Sequence, residues 1–260
     1  MKLAEMTSFE VDKLSRDVVV LLPVAALEQH SRHLPVFTDS ILCGTIAEAV
    51  EANLPKDVLL LPVLWTGASS HHADFAGTVS IELDTYIEML CQILRSLLDH
   101  GFKKAFILNG HGGNLDPIHV ALRLLSREYP DANLAGGNYW FIAGDSIANI
   151  LAGPRKVVGH ACEMETSGIM AVRPDLVRKA LIRDDPEQDD PRLVGTFVPL
   201  DMKRHTKQGG IGHATLASPA KGKRLMAAIV KDVTAVVKAA RQGATTGAAR
   251  TRSTKKKTSK

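Results

Sequence analysis

Three short runs of unbroken apolar residues, each separated from the next by a segment of helical periodicity, constrain this chain more than any other feature. They are Val18 to Val24, Val58 to Val63 and Ala105 to Leu108. A strand apolar on both faces needs cover on both faces, and a parallel sheet between two layers of helices provides it. The segments between the runs supply those helices. One is expected from Asp39 toward Asn53, with Ile41, Ile46, Ala49 and Val50 on its apolar side. The next opens at a capping-box spacing, Thr85 to Glu88, carries Ile87, Leu90, Ile93, Leu94, Leu97 and Leu98, and stops at Gly101. Asp116 and Pro117 open a third, which runs to about Glu128. A fourth strand is expected within Leu134 to Ile142, a helix from Thr166 to Val172 before Pro174, and a last helix from Ser218 and Pro219. Residues 183–213, rich in Pro, Gly, Asp and Lys, read as an irregular excursion. The predicted fold is therefore α/β: a mostly parallel β-sheet flanked by helices on both faces, in one domain spanning residues 1–240.

Such a chain, 260 residues with 45% hydrophobic content, buries a core without disulfides or a structural metal. Cys43, Cys91 and Cys162 are odd in number and widely spaced, which suits a reducing compartment. With no signal-peptide pattern and no apolar stretch of membrane-spanning length, a cytoplasmic protein without a membrane partner is expected. The net charge of +4 misleads, because residues 241–260 alone hold seven Lys and Arg and no acid. The body is thus slightly acidic. The tail reads as a disordered basic extension, and nucleic acid is expected at most as a non-specific contact of that tail.

In parallel sheets, sites lie beyond the carboxyl ends of the strands. Here that rule selects the loops after Val24, Val63 and Leu108. The first packs Glu28, His30, His33 and Asp39 into twelve residues, the third is Asn109-Gly110-His111-Gly112-Gly113-Asn114, and a later segment holds His160, Cys162, Glu163 and Glu165. Carboxylates beside imidazoles in three separate segments are the mixed O/N donors that hold Zn, Mn or Fe with an open coordination position. Taken singly, each has an ordinary reading: Asp39 as a helix N-cap, Glu28 as a surface carboxylate, His30 and His33 as hydrogen-bonded loop residues. The combination carries the expectation. His71, His72 and Asp74, after the second run, read either as substrate contacts or as a polar rim. Trp140 reads as a stacking surface or a core residue.

EQHSRHLPVFTD, HHADFAGTVS, NGHGGN, GHACEMETS and GGIGHATLASPAKGKRL, in this order, resemble segments of the creatininase (creatinine amidohydrolase) family and span residues 20 to 240. The resemblance implies an α/β sandwich that forms homo-oligomers, often hexamers, and that binds one or two divalent ions (Zn, Mn or Fe) per chain. It implies metal binding by Glu28, His30, Asp39 and His111. Asp39 would bridge two ions, with Glu28 and His111 on one and His30 on the other, and His160 would handle protons. Three departures mark a distinct branch. Ser31 and Ala76 stand where the family usually has Gly and Pro, and Gly113 stands where true creatininases carry a metal-binding glutamate. Glu163 is expected to supply the missing carboxylate, with Glu165 as its competitor or as an acid/base group. The function this implies is hydrolysis of an amide or cyclic-amide C–N bond of a small molecule by a metal-bound hydroxide. Formamidopyrimidine, peptide or cyclic sugar-ketone substrates, or a non-catalytic binding role, are the alternatives.

Overall fold

The computed structural model describes residues 1–186, 192, 196, 198–199 and 201–242. Four parallel strands form the centre in the order β2-β1-β3-β4: β1 Val19–Val24, β2 Val58–Leu60, β3 Lys104–Asn109 and β4 Asn133–Asn138. The period-2 alternation of a strand divides their side chains between two cores. Val19, Leu21, Phe106 and Leu108 face one side, while Val20, Leu22, Val24, Ala105 and Ile107 face the other. The first side is covered by α2 Thr38–Asn53, α5 Tyr139–Ile142, α6 Gly144–Ile150, α7 Glu163–Val172 and α9 Pro219–Gln242. The second is covered by α3 Leu83–Asp99 and α4 Leu115–Glu128. Two small helices complete the described α-helices: α1 Ser8–Asp12, whose Val11 packs against the second core, and α8 Met202–His205. The parallel sheet with helices on both faces is as the apolar runs predict.

The boundaries differ from expectation for local reasons. β2 stops at Leu60, not Val63. The Pro23 carbonyl of β1 accepts from Leu64 N–H, so its missing N–H lies on the β2 side, where Pro62 also interrupts the partner. β4 ends at Asn138, and the aromatic run from Tyr139 to Ile142 is a helical turn; periodicity alone does not separate the two in so short a run. The Thr85 to Glu88 capping box does not form: α3 begins at Leu83, and Thr85 N–H donates to Asp84. Pro117 is the third residue of α4 rather than the first. Ser218 does cap the last helix, accepting from Lys221 N–H at 3.2 Å. Of the predicted tail, Arg241 and Gln242 belong to α9, with Arg241 paired to Asp17 and Asp57; the tail from 243 on lies outside the described residues. Within the predicted 183–213 excursion, residues 187–191, 193–195, 197 and 200 also lie outside them. Among the described residues no helix is long and apolar enough to cross a membrane.

Candidate metal centre

The loops beyond β1, β2 and β3 converge with the first turns of α2 and α7. Glu28 and His30 leave the end of β1, and Asp39 follows in the first turn of α2. His111 lies two residues beyond the end of β3, its loop fixed by Asn109, which accepts from His111 N–H at 3.0 Å and donates to its carbonyl at 2.7 Å. Asn114 holds the neighbouring strands in place, donating to Ala25 O at 2.9 Å and accepting from Ala68 N–H at 3.0 Å.

All four of these side chains are buried. Asp39 faces two ways. Its Oδ2 lies 3.1 Å from His111 Nδ1, which is 3.2 Å from Glu28 Oε1. Its Oδ1 lies 3.0 Å from His30 Nε2, which is 3.8 Å from Glu165 Oε1. His160 approaches from the α7 side, with Nδ1 3.7 Å from Glu28 Oε1. Despite this crowding, Glu28 Oε2, His30 Nε2 and Asp39 Oδ2 make no hydrogen bond. Lone pairs that come close without hydrogen-bond geometry, in a site shielded from water, are the arrangement a cation satisfies.

The electrostatics agree. Burial works against a charged His111, yet Glu28 and Asp39 push it up to about 10. Burial likewise opposes a charged His30, but Asp39 and Glu165 raise it well above the usual imidazole value. Burial disfavours the Asp39 carboxylate, and His30 and His111 nevertheless hold it below the usual range. The acids thus demand positive charge between them, from protons or from a metal. His160 goes the other way, lowered by burial and by His30.

Glu163 does not join the cluster, contrary to the expectation that it supplies the missing carboxylate. Its carboxylate accepts from the N–H groups of Ala152 (2.9 Å) and Gly153 (3.0 Å) and pairs with Lys221. α7 starts at Glu163, three residues earlier than expected, and residues two apart on a helix point to different sides. Glu165 is the one that faces inward, and His30, His160 and Glu165 form one of the groups able to hold an ion. Glu163→Gln is therefore expected to leave bound metal unchanged while costing about 1.5–3 kcal/mol of stability, the range for hydrogen bonds to a charged group. Metal analysis beside denaturant unfolding checks both halves.

Three further residues reach the cluster. His72 Nε2 is 3.4 Å from Glu28 Oε1, and His71 stacks on His111 with ring centroids 5.6 Å apart. Gln29 is buried between the rings of His72 and His160. Its place between two expected ligands in Glu-Gln-His was the available signal. His33 lies behind, bonded to Thr166, and Asp74 is exposed. Ser31 and Ala161 are the non-glycine residues at positive φ among those described, and they directly follow His30 and His160. Strained backbone thus flanks both histidines. In front of the cluster opens a cavity of about 380 Å³, with Trp140, Phe141, Val158, Met202 and Ile211 forming an apolar lip.

The profile of the family described as Creatininase, creatinine amidohydrolase, matches residues 4–237. The chain belongs to the creatininase family. Among its relatives, the mycofactocin precursor peptide peptidase of Mycobacterium tuberculosis is 29% identical over 239 residues, covering 89% of this chain and 88% of the relative. The creatinine amidohydrolase of Pseudomonas putida is 29% identical over 243 residues, covering 86% and 90%. A solved structure described as creatininase Mn superimposes with a TM-score of 0.78 at 27% identity, covering 92% of this chain and 97% of that one. The protein is a hydrolase of the creatininase type at modest identity to its named relatives.

Proposed function

We propose that this creatininase-family hydrolase opens the C–N bond of an amide with one or two divalent ions held by Glu28, Asp39, His111, His30 and Glu165. The reading is carried by the orphaned buried atoms Glu28 Oε2, His30 Nε2 and Asp39 Oδ2, whose three residues form one group able to hold an ion. If two ions bind, Glu28 and His111 would hold one and His30 and Glu165 the other, with the two oxygens of Asp39 turned toward both halves. Zn, Mn or Fe suits these donors. When bound, the metal supplies a Lewis acid for the substrate carbonyl and a water-derived nucleophile at neutral pH. His160, on the cavity wall, receives and returns the proton, a role typically worth about 10²–10⁴-fold. The apolar lip favours an amide that carries an apolar substituent. Homo-oligomeric assembly in the cytoplasm, and a single domain over residues 1–240, complete the proposal; exposed Trp65 and Leu181 are compatible with subunit contacts.

Purified protein is expected to hold one to two Zn, Mn or Fe ions per chain. Binding must displace the proton that Glu28 and Asp39 stabilise on His111 up to about pH 10. Below that pH the proton competes with the metal, so apparent affinity rises with pH through neutrality and falls in acid. Calorimetry in buffers of different ionisation enthalpy measures the proton released. A pH-independent affinity with no proton release contradicts this ligand set. Screening cyclic amides, formamides, short peptides and cyclic diketones with the metal-loaded protein then tests the reaction class. Turnover of the diketones alone would replace C–N by C–C cleavage.

A further inference from the structure

We propose that Gln29 is a positioning residue that sets the protons of two histidines, directing a protonated His72 Nε2 at Glu28 and a bare His160 Nδ1 at the acidic cluster. The inference rests on the hydrolase reading only for its catalytic consequence. The proton positions follow from hydrogen bonds alone.

Two main-chain groups decide which end of the Gln29 amide is which. Ser31 N–H donates to one end at 2.8 Å, so that atom is the oxygen. The other end lies 2.8 Å from the Gly209 carbonyl, an obligate acceptor, so that atom is the NH₂ nitrogen. Its two protons are then placed. One goes to Gly209 O. The other goes to His72 Nδ1 at 2.7 Å, a shorter contact than the 3.1 Å to His160 Nε2. His72 Nδ1 therefore holds a lone pair. The proton of the neutral ring sits on Nε2, the nitrogen that is 3.4 Å from Glu28 Oε1. His72 thus turns its N–H side toward the Glu28 carboxylate, and it is a bond from the neighbouring amide that selects the tautomer.

The main chain of the same residue fixes the second ring. The Gln29 carbonyl lies 2.7 Å from His160 Nε2 and can only accept, so that nitrogen carries the proton. The opposite nitrogen, Nδ1, is bare in the neutral ring and stands 3.7 Å from Glu28 Oε1. A bare Nδ1 is the form able to take a proton from a reacting group on that side. Gly209 is part of the device. It sits at φ +82°, and a Cβ there would fall 2.2 Å from Gln29 Oε1, so only glycine lets its carbonyl reach the amide.

Long-range ¹H–¹⁵N correlation on zinc-loaded protein with ¹⁵N-histidine reads the tautomers directly, with signals assigned by their loss in His72→Asn and His160→Asn. Wild type should show both rings protonated at Nε2. In Gln29→Glu the same shape offers only acceptors, so His72 should move its proton to Nδ1 while His160 stays as it was. Bound zinc should be retained, and kcat on whichever amide is turned over should fall about 10–100-fold, the range for losing a partner behind a metal ligand, with KM changed little. Gly209→Ala, which displaces the amide sterically, should disturb the same His72 signal. Wild-type rings protonated at Nδ1, or a His72 tautomer indifferent to both variants, overturns the proposal. The spectra need no substrate, so the expected tautomers in a protein inert toward every amide would uphold the inference while refuting the hydrolase assignment.

Discussion

Replacing Asp39 with alanine is expected to strip the bound metal and lower turnover by about three orders of magnitude or more. The expectation follows from position. Asp39 is the side chain whose two oxygens serve both halves of the cluster, one beside His111 and the other beside His30. Its removal takes a donor from each half at once and leaves only Glu28 beside His111 and Glu165 beside His30. Loss of the metal forfeits several kcal/mol of transition-state stabilisation, and each 1.36 kcal/mol is a factor of ten, so about 4 kcal/mol gives the stated fall. The helix should survive. Asp39 makes no capping bond in α2, and the fold is set by apolar contacts on both faces of the sheet. Metal analysis, circular dichroism and turnover on one sample decide the matter. A folded variant that keeps its full complement of metal removes Asp39 from the centre.

A second large effect is expected at Gly113, where true creatininases place a glutamate. Gly113→Glu should not create a creatinine-opening enzyme; it should cost about 100-fold or more in the native activity. A Cβ on residue 113 would lie 2.0 Å from the Ala68 carbonyl, 2.6 Å from His111 Nε2 and 2.8 Å from His71. Two of these neighbours cannot yield cheaply. Ala68 O is backbone, and His111 is held at Nε2 by Ser69 and Ala68. The added side chain therefore pushes the His111 loop away from Glu28. A displacement of about 1 Å of a reacting group is worth about 10² in rate. Gly113→Ala separates sterics from charge: it should lose nearly as much as the glutamate variant. A glutamate variant with wild-type metal content and new creatinine hydrolysis would mean that the 68–72 segment gives way freely.

The sheet and most of the centre were legible in the sequence because they depend on chemistry that neighbours in the chain carry. Buried parallel strands are written as apolar runs, and the rule that sites sit beyond strand ends selected the loops that hold Glu28, His30, Asp39 and His111. What stayed illegible depended on exact rotation or on contact between distant segments. Whether Glu163 or Glu165 faces inward turns on where α7 begins, since two residues of helix rotate a side chain by roughly 200°. His72 reaches Glu28 through a single turn of 3-10 helix at Ser70–His72 that no periodicity announces. The absence of a side chain at 113 is explained only once Ala68 is known to lie against it.

The cluster and the lip of the cavity are built from different stretches of chain. The proposed donors come from the loops after β1 and β3 and from the first turns of α2 and α7, each braced by the central sheet or its covering helices. Trp140 and Phe141 belong to α5 and Met202 to α8, while Val158 and Ile211 lie beside His160, whose main chain pairs with that of Ile211. The part of the lip formed by Trp140, Phe141 and Met202 is thereby separate in sequence from the proposed donors. Variation confined to those three positions would reshape the cavity mouth while leaving the proposed donors in place, a physical route by which one scaffold could take on different substrates.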